Sequence, residues 1–175
     1  MVAPTVFAGR TGQMNAVETQ EQIAFHESAH AVVRHCFRHP VKSVEIGPDT
    51  GCCVVSDEWA KSFDRKRLTE LARRELLFEH IICCCAGKAA MDRWHGYKAS
   101  TDESWRASDD FRQAFSYALE VNGDRESAES LVQWLLRRTE VIVERQWPRI
   151  QRLAAALCDS GAMNVTQIRH VLRGA

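Results

Sequence analysis

The sequence has no excess of charge of either sign. Lysine and arginine together number 23, aspartate and glutamate also number 23, and the formal net charge is therefore zero. A protein whose main task is to bind nucleic acid usually carries a basic excess that matches the phosphate backbone. The balance therefore predicts no nucleic-acid partner, although it leaves room for a local basic patch.

The sequence also lacks an uninterrupted apolar run of the about 18 residues that a membrane-spanning helix needs. The best candidate run, 76–87, is broken by Glu79 and His80. The first ten residues, MVAPTVFAGR, do not show the basic region and apolar stretch of a secretory signal. We therefore expect a cytoplasmic protein that has no membrane partner.

Cysteine pairs with the Cys-x-x-Cys spacing are absent, although the chain has seven cysteines. Five of them lie in two adjacent runs, 52–53 and 83–85, and neighbouring cysteines are poor disulfide partners for each other. The thiols are therefore predicted to be reduced. Because the run 83–85 lies in an apolar stretch, we interpret it as small buried hydrophobic residues, with a soft-metal site as the alternative.

Hydrophobic periodicity and turn residues predict a mainly α fold with one small β-hairpin and a flexible N-terminal arm, 1–15. The hairpin comprises the alternating run 41–46, a turn rich in glycine and proline, and the short apolar run 52–55. A polar loop is expected over 97–106, and Pro148 is expected to kink the chain or to start a new helix. The predicted helices cover 17–37, 64–94 as one helix or two, a segment from Ser108 or Asp109 to 121, 126–146, 149–158 and 165–172.

One motif carries chemistry: His26, Glu27, Ser28, Ala29 and His30 match His-Glu-x-x-His inside the first predicted helix. Positions i and i+4 lie on one face, so both imidazoles can reach a single ion. Zinc lowers the pKa of a bound water to about 7, and Glu27 is placed to act as the general base. A chance match is the alternative, but apolar residues flank the motif, where unpaired polar groups are costly. The motif predicts a zinc metallopeptidase.

A catalytic zinc needs a third protein ligand and an open fourth position. One known arrangement places a histidine six residues after the second one, with a glycine between, but this chain has Cys36 and Val33 at those positions. Another arrangement takes a glutamate from a following helix. Glu70, Glu75 and Glu79 are available for this role, and none of them lies in a distinctive local pattern.

An ordered set of motifs resembles the peptidase domain of the FtsH-type ATP-dependent zinc metalloproteases, over about residues 20–173. The set comprises the zinc motif in 24–33, Ala-Gly-Lys-Ala-Ala at 86–90 with Trp-His-Gly at 94–96, and Ala-Ser-Asp-Asp-Phe at 107–111. The resemblance implies an FtsH peptidase-like helical fold in which 16–175 form a zinc metallopeptidase domain. It also implies that Asp110 is the third Zn²⁺ ligand.

The chain departs from this family in several places. Ser28 and Ala29 stand where the family has a small residue and then glycine, and Asp109 replaces an asparagine. We interpret Asp109 as a helix cap and Asp110 as the ligand, and the reverse assignment stays open. The family's membrane region and ATPase module are not found, and no phosphate-binding loop motif occurs.

The resemblance implies that Gly51, Cys52, Cys53 and Val54 form a substrate-binding strand beside the cleft, with an ordinary core-covering hairpin as the alternative. We expect an ATP-independent zinc metalloendopeptidase that cleaves unfolded polypeptides or peptides, alone, as a homo-oligomer or with a separate unfoldase. The alternative functions are a catalytically weak zinc-containing binding or regulatory module of the same fold and, less favoured, a zinc hydrolase that does not cleave peptides.

Overall fold

A computed structural model of the chain describes residues 19–55, 68–96 and 102–174. The expected N-terminal arm, 1–15, lies outside the described residues. Within them the protein is mainly helical and contains a small antiparallel sheet of three strands. No described helix combines the length and the apolar character that crossing a lipid bilayer requires.

The described residues form seven helices and three strands. The long stretch predicted from 64 is divided at Cys85 into two helices. In chain order the elements are α1 Gln20–Cys36, β1 Val41–Ile46, β2 Gly51–Val55, α2 Glu70–Cys84, α3 Ala86–His95, α4 Asp102–Arg106, α5 Asp109–Asn122, α6 Arg125–Ser160, β3 Ala162–Asn164 and α7 Val165–Arg173.

Helix α1 lies at the centre of the fold and packs against α6, α3 and the strand β1. Its start is defined by a capping box, in which Thr19 and Gln22 satisfy each other's backbone N–H groups. Phe25 packs against Trp94 and Trp147, with ring centroids at 4.2 and 5.3 Å respectively. Burial on several sides therefore holds α1 in place, and the zinc motif lies on this helix.

The sheet contains one more strand than the predicted hairpin. Its order is β2-β1-β3, and β3 pairs with β1 so that Val44 lies opposite Met163. A segment of three residues is too short to show an alternating pattern, so only its tertiary pairing makes it a strand. Among the described residues β2 pairs with β1 alone, which leaves β2 at an edge of the sheet.

Helix α6 continues through Pro148, so the prediction that a new helix starts at the proline is wrong, whereas the alternative of a kink there stays a prediction. Proline inside a helix removes one backbone hydrogen bond and costs about 3 kcal/mol relative to alanine. Val143 precedes the proline, Ile150 and Leu153 follow it, and all three are buried in the same core. Burial of apolar side chains on both sides therefore outweighs the local cost.

Residues 97–101 of the expected loop lie outside the described residues, and α4 occupies the other five, so the loop prediction is wrong for 102–106. Trp105 in α4 is buried and packs edge-on against Phe111 of α5, with the ring centroids 4.9 Å apart. This aromatic contact holds the short, otherwise polar helix α4 against the core. A single apolar residue in a polar stretch does not produce a helical period, so the pattern did not predict the helix.

Replacing Pro148 with alanine is expected to raise the free energy of unfolding by about 1–2 kcal/mol, because a helix hydrogen bond is restored. Denaturant unfolding measures the change. Pro48→Ala, at an exposed turn position, is the matched control and should give no gain. A Pro148→Ala protein that is no more stable than the wild type would show that α6 depends on the proline.

Candidate metal centre

Three ligand atoms from α1 and α5 converge on one point. The Oδ2 atom of Asp110 lies 3.2 Å from Nε2 of His26 and 3.1 Å from Nε2 of His30. The two Nε2 atoms are 3.1 Å apart. Ligands that bind a tetrahedral zinc ion at about 2.0–2.1 Å lie about 3.3 Å from one another. The triangle therefore has nearly the size that a single ion of this kind requires.

The position of the proton on the neutral His30 ring indicates that a positive charge would stabilise this group of three side chains. Its Nδ1–H group donates to the backbone carbonyl of Cys83 at 2.8 Å, so Nε2 of the neutral ring carries a lone pair. That lone pair faces the carboxylate of Asp110, and two acceptors in contact repel each other. A bound cation or an additional proton relieves the repulsion. The carbonyl of Cys83 also orients the ring, as partners of metal-binding histidines commonly do.

The electrostatics agree with this geometry. Burial alone would lower the pKa of His30, but the charges of Asp110 and Glu27 raise that pKa above its ordinary value. Burial would raise the pKa of Asp110, yet the two histidines hold it well below its usual range. Two imidazoles and one carboxylate that share a site favourable to positive charge could hold a divalent metal ion.

The structure distinguishes the two adjacent aspartates. Asp110 points at the histidines, whereas the side chain of Asp109 is 94% exposed and pairs with Arg112 of its own helix. The cap of α5 is Ser108, whose hydroxyl accepts the N–H of Phe111 at 3.1 Å. Of the two candidate caps, Ser108 is therefore the one observed, and the interpretation of Asp109 as the cap is wrong, because Asp109 is already the first residue of the helix.

The other carboxylates considered as third ligands are placed elsewhere. Glu70 is largely exposed and lies near Arg73 of its own helix, and Glu75 is exposed. Glu79 accepts a hydrogen bond from His39, with 2.8 Å between Nε2 and Oε2. Across the described ranges 19–55, 68–96 and 102–174, His26, His30 and Asp110 form the only group of three or more such side chains whose ligand atoms lie close enough together to share an ion.

The cysteine run behaves as buried apolar residues. Cys83, Cys84 and Cys85 are free thiols with almost no exposed surface. Burial raises the pKa of all three, that of Cys84 to about 12, and only the thiolate binds metal well. The alternative of a soft-metal site in this run therefore has no support among the described residues.

Glu27 lies on α1 between the two histidines and is buried, with 8% of its surface exposed. Its charge contributes to the raised pKa of His30, so the carboxylate is in electrostatic range of the site. The carboxylate does not belong to the group of three converging ligand atoms. This arrangement suits a group that acts on a molecule beside an ion rather than on the ion itself.

Gly51, the first residue of β2, lies directly against Glu27. A Cβ atom at this position would come within 2.6 Å of Glu27 Cγ and 2.7 Å of Ile23 Cγ2, closer than such atoms approach in proteins. Only glycine fits there without displacing α1 side chains. The predicted substrate strand therefore starts beside Glu27; Cys52 is exposed, while Cys53 and Val54 are half-buried.

Gly87, in the first turn of α3, lies equally close to His26. A Cβ atom on Gly87 would overlap the imidazole ring at Cε1 and Nε2. The glycine therefore leaves the space that one ligand ring occupies. Gly87 lies in a motif that resembles the family's, but the sequence pattern did not predict its contact with His26, because the two residues are distant in sequence.

Comparison of the sequence with protein-family models and with curated proteins gave no match. The likeness to FtsH-type peptidases therefore depends on the motifs within this chain, and membership of that family stays a prediction. The geometry of His26, His30, Asp110 and Glu27 is independent of that likeness.

Replacing Asp110 with asparagine removes the anionic ligand and should weaken zinc binding by about 100-fold or more. Competition with a chromogenic zinc chelator measures the affinity. Asp109→Asn removes a carboxylate from the neighbouring position and is expected to bind zinc as the wild type does. Equal losses in the two variants would contradict the assignment of Asp110.

Replacing Gly87 with alanine should also weaken zinc binding, because the new methyl group overlaps the His26 ring and must displace it. The same chelator assay applies, with circular dichroism to verify that the helices form. Gly47→Ala is the matched control, since its Cβ would have only ordinary contacts at 3.5 Å or more. Full zinc affinity in Gly87→Ala would show that His26 is not needed in its present position.

Proposed function

We propose that this protein is a zinc metalloendopeptidase that hydrolyses peptide bonds of unfolded proteins or peptides without ATP. The observation that carries the proposal is the convergence of His26, His30 and Asp110 within 3.1–3.2 Å of one another, with Glu27 on the same helix. Three protein ligands and an adjacent general base are the composition of a catalytic zinc site. The resemblance to FtsH-type peptidases adds support from the motifs.

Peptide hydrolysis at this site would use a bound zinc ion and the carboxylate of Glu27 in different roles. Zinc, when bound, lowers the pKa of a coordinated water and polarises the peptide carbonyl. Glu27 accepts a proton from the water that attacks the carbonyl carbon, and it delivers this proton to the leaving amine nitrogen as the C–N bond breaks. Burial of Glu27 keeps bulk water away from its carboxylate, which strengthens its interaction with the reacting groups.

The edge strand β2 suits an extended substrate. An incoming peptide can pair with a strand edge through main-chain hydrogen bonds, which form regardless of the side chains of the peptide. Gly51 packs against Glu27, so a peptide paired along Gly51, Cys52, Cys53 and Val54 passes beside the general base. Main-chain pairing needs an extended chain, and this favours unfolded polypeptides as substrates.

The alternative is a zinc-containing binding or regulatory module that turns over little or no substrate. Burying a carboxylate between two metal ligands costs desolvation free energy. A module that only binds zinc would gain nothing from that carboxylate. The buried carboxylate of Glu27 beside the candidate ligands therefore favours the enzyme. In this proposal the protein lies in the cytoplasm. There a separate unfoldase, or a homo-oligomer of this chain, would deliver unfolded substrates to the site.

Replacing Glu27 with glutamine should leave zinc content unchanged and lower cleavage of an unfolded protein such as casein by about 100-fold or more. Elemental analysis gives zinc per chain, and release of fluorescent peptides gives the rate. Glu21→Gln, on the same helix, is the control and should retain activity. If wild type and Glu27→Gln hold zinc equally and neither cleaves, the binding-module function replaces the proposed one.

A further inference from the structure

A pocket of about 470 Å³ lies where the end of α1, helix α6 and helix α7 meet. Ala31 and His35 line it from α1. With 3.6 residues per turn, these positions project about 140° away from those of His26 and His30 around the helix axis. The pocket therefore opens on a different side of α1 from the candidate metal centre.

The charged residues of this pocket are all basic. Arg38, Arg149 and Arg169 line it, and Arg173 follows one turn later on α7. Within the described residues none of the four forms an ion pair, and Arg149 has only a hydrogen bond to Gln146 at 3.1 Å. In a chain with equal numbers of acidic and basic residues, an unbalanced group of this size is a specific local feature.

The arginines create a positive potential inside the pocket. Burial, followed by the charges of Arg149, Arg169 and Arg173, lowers the pKa of His35 below its ordinary value. The C-terminal end of α1 contributes about half a negative charge, which offsets only part of this cluster. An anion that enters the pocket therefore meets several cations that lack any acidic partner among the described residues.

Arg38 has the backbone conformation that usually belongs to glycine at the end of a helix. Its φ is 60°, and the backbone N–H of His39 bonds to the carbonyl of Arg34 at 2.9 Å, as in a Schellman motif. A side chain is strained in this conformation, whereas glycine is not. An arginine at a strained position on the pocket rim points to a use for its side chain.

The remaining lining residues are mostly apolar. Pro40 and Val41 contribute from the start of β1, and Val165 and Ile168 contribute from α7. Pockets that enclose small molecules begin at about 300 Å³, so this one has room for an organic group as well as an anion. The combination of a basic rim and an apolar wall selects an amphiphilic anion.

We propose that this pocket binds a small molecule with a phosphate monoester group, held by Arg38, Arg149 and Arg169, with its apolar part against Val165 and Ile168. Guanidinium groups match the oxygens of a phosphate through paired hydrogen bonds. A phosphate monoester carries nearly two charges at neutral pH and balances more of the cluster than a carboxylate does. The site goes beyond the proposed peptidase activity and does not depend on it.

Isothermal titration of the full chain with phenyl phosphate, at constant ionic strength, tests the proposal. We expect one saturable site and a loss of about tenfold in affinity for Arg149→Gln and for Arg169→Gln. Arg137→Gln, an exposed arginine on the same helix α6, is the matched control and should bind as the wild type does. NMR of the His35 ring should show its pKa rise when phenyl phosphate is present.

Three outcomes would overturn the proposal. Absence of saturable binding up to about 10 mM phenyl phosphate would exclude a useful site. Equal losses for Arg137→Gln and Arg169→Gln would show unspecific attraction to surface charge. Benzoate that binds more tightly than phenyl phosphate would show that the pocket selects a carboxylate.

Discussion

The imidazole of His30 joins three helices at one point, and the candidate site depends on this junction. The ring belongs to α1, the carbonyl of Cys83 near the end of α2 fixes its Nδ1, and Asp110 at the start of α5 faces its Nε2. Since Nδ1 donates its proton to Cys83, Nε2 of the neutral ring directs its lone pair towards the carboxylate of Asp110. The arrangement is stable only with a positive charge there, which explains why a metal ion suits it.

Close packing around α1 then determines where the other groups lie. Gly87 of α3 leaves the volume that the His26 ring fills, and Gly51 of β2 allows the backbone to lie against Glu27. Alanines at buried positions of α1, such as Ala24 and Ala31, let neighbouring elements approach the helix closely. The same contacts that hold the central helix therefore position the ring of His26, the carboxylate of Glu27, which we propose as the general base, and the edge of the sheet.

Local patterns predicted the parts of this structure that depend on local spacing. The four-residue step between His26 and His30 puts both rings on one face of any helix, and the 3.6-residue period located α1 itself. Asp110 lies 80 residues beyond His30, so no spacing rule could connect them, and the family resemblance alone suggested the pair.

Tertiary contacts explain the differences from those predictions. β3 becomes a strand because it pairs with β1, and α6 continues through Pro148 because apolar residues on both sides of it share one core. The close approaches at Gly51 and Gly87 involve elements distant in sequence. A glycine in the sequence indicates that space is available, but not which side chain occupies it.

X-ray absorption spectroscopy of the zinc-loaded protein is the most direct test of this account, because the chain offers seven cysteines as competing ligands. The expected spectrum shows nitrogen and oxygen neighbours at about 2.0–2.1 Å, including two imidazoles, and no sulfur shell. A sulfur neighbour at about 2.3 Å would contradict it, since the ion would then lie away from the site formed by His26, His30 and Asp110.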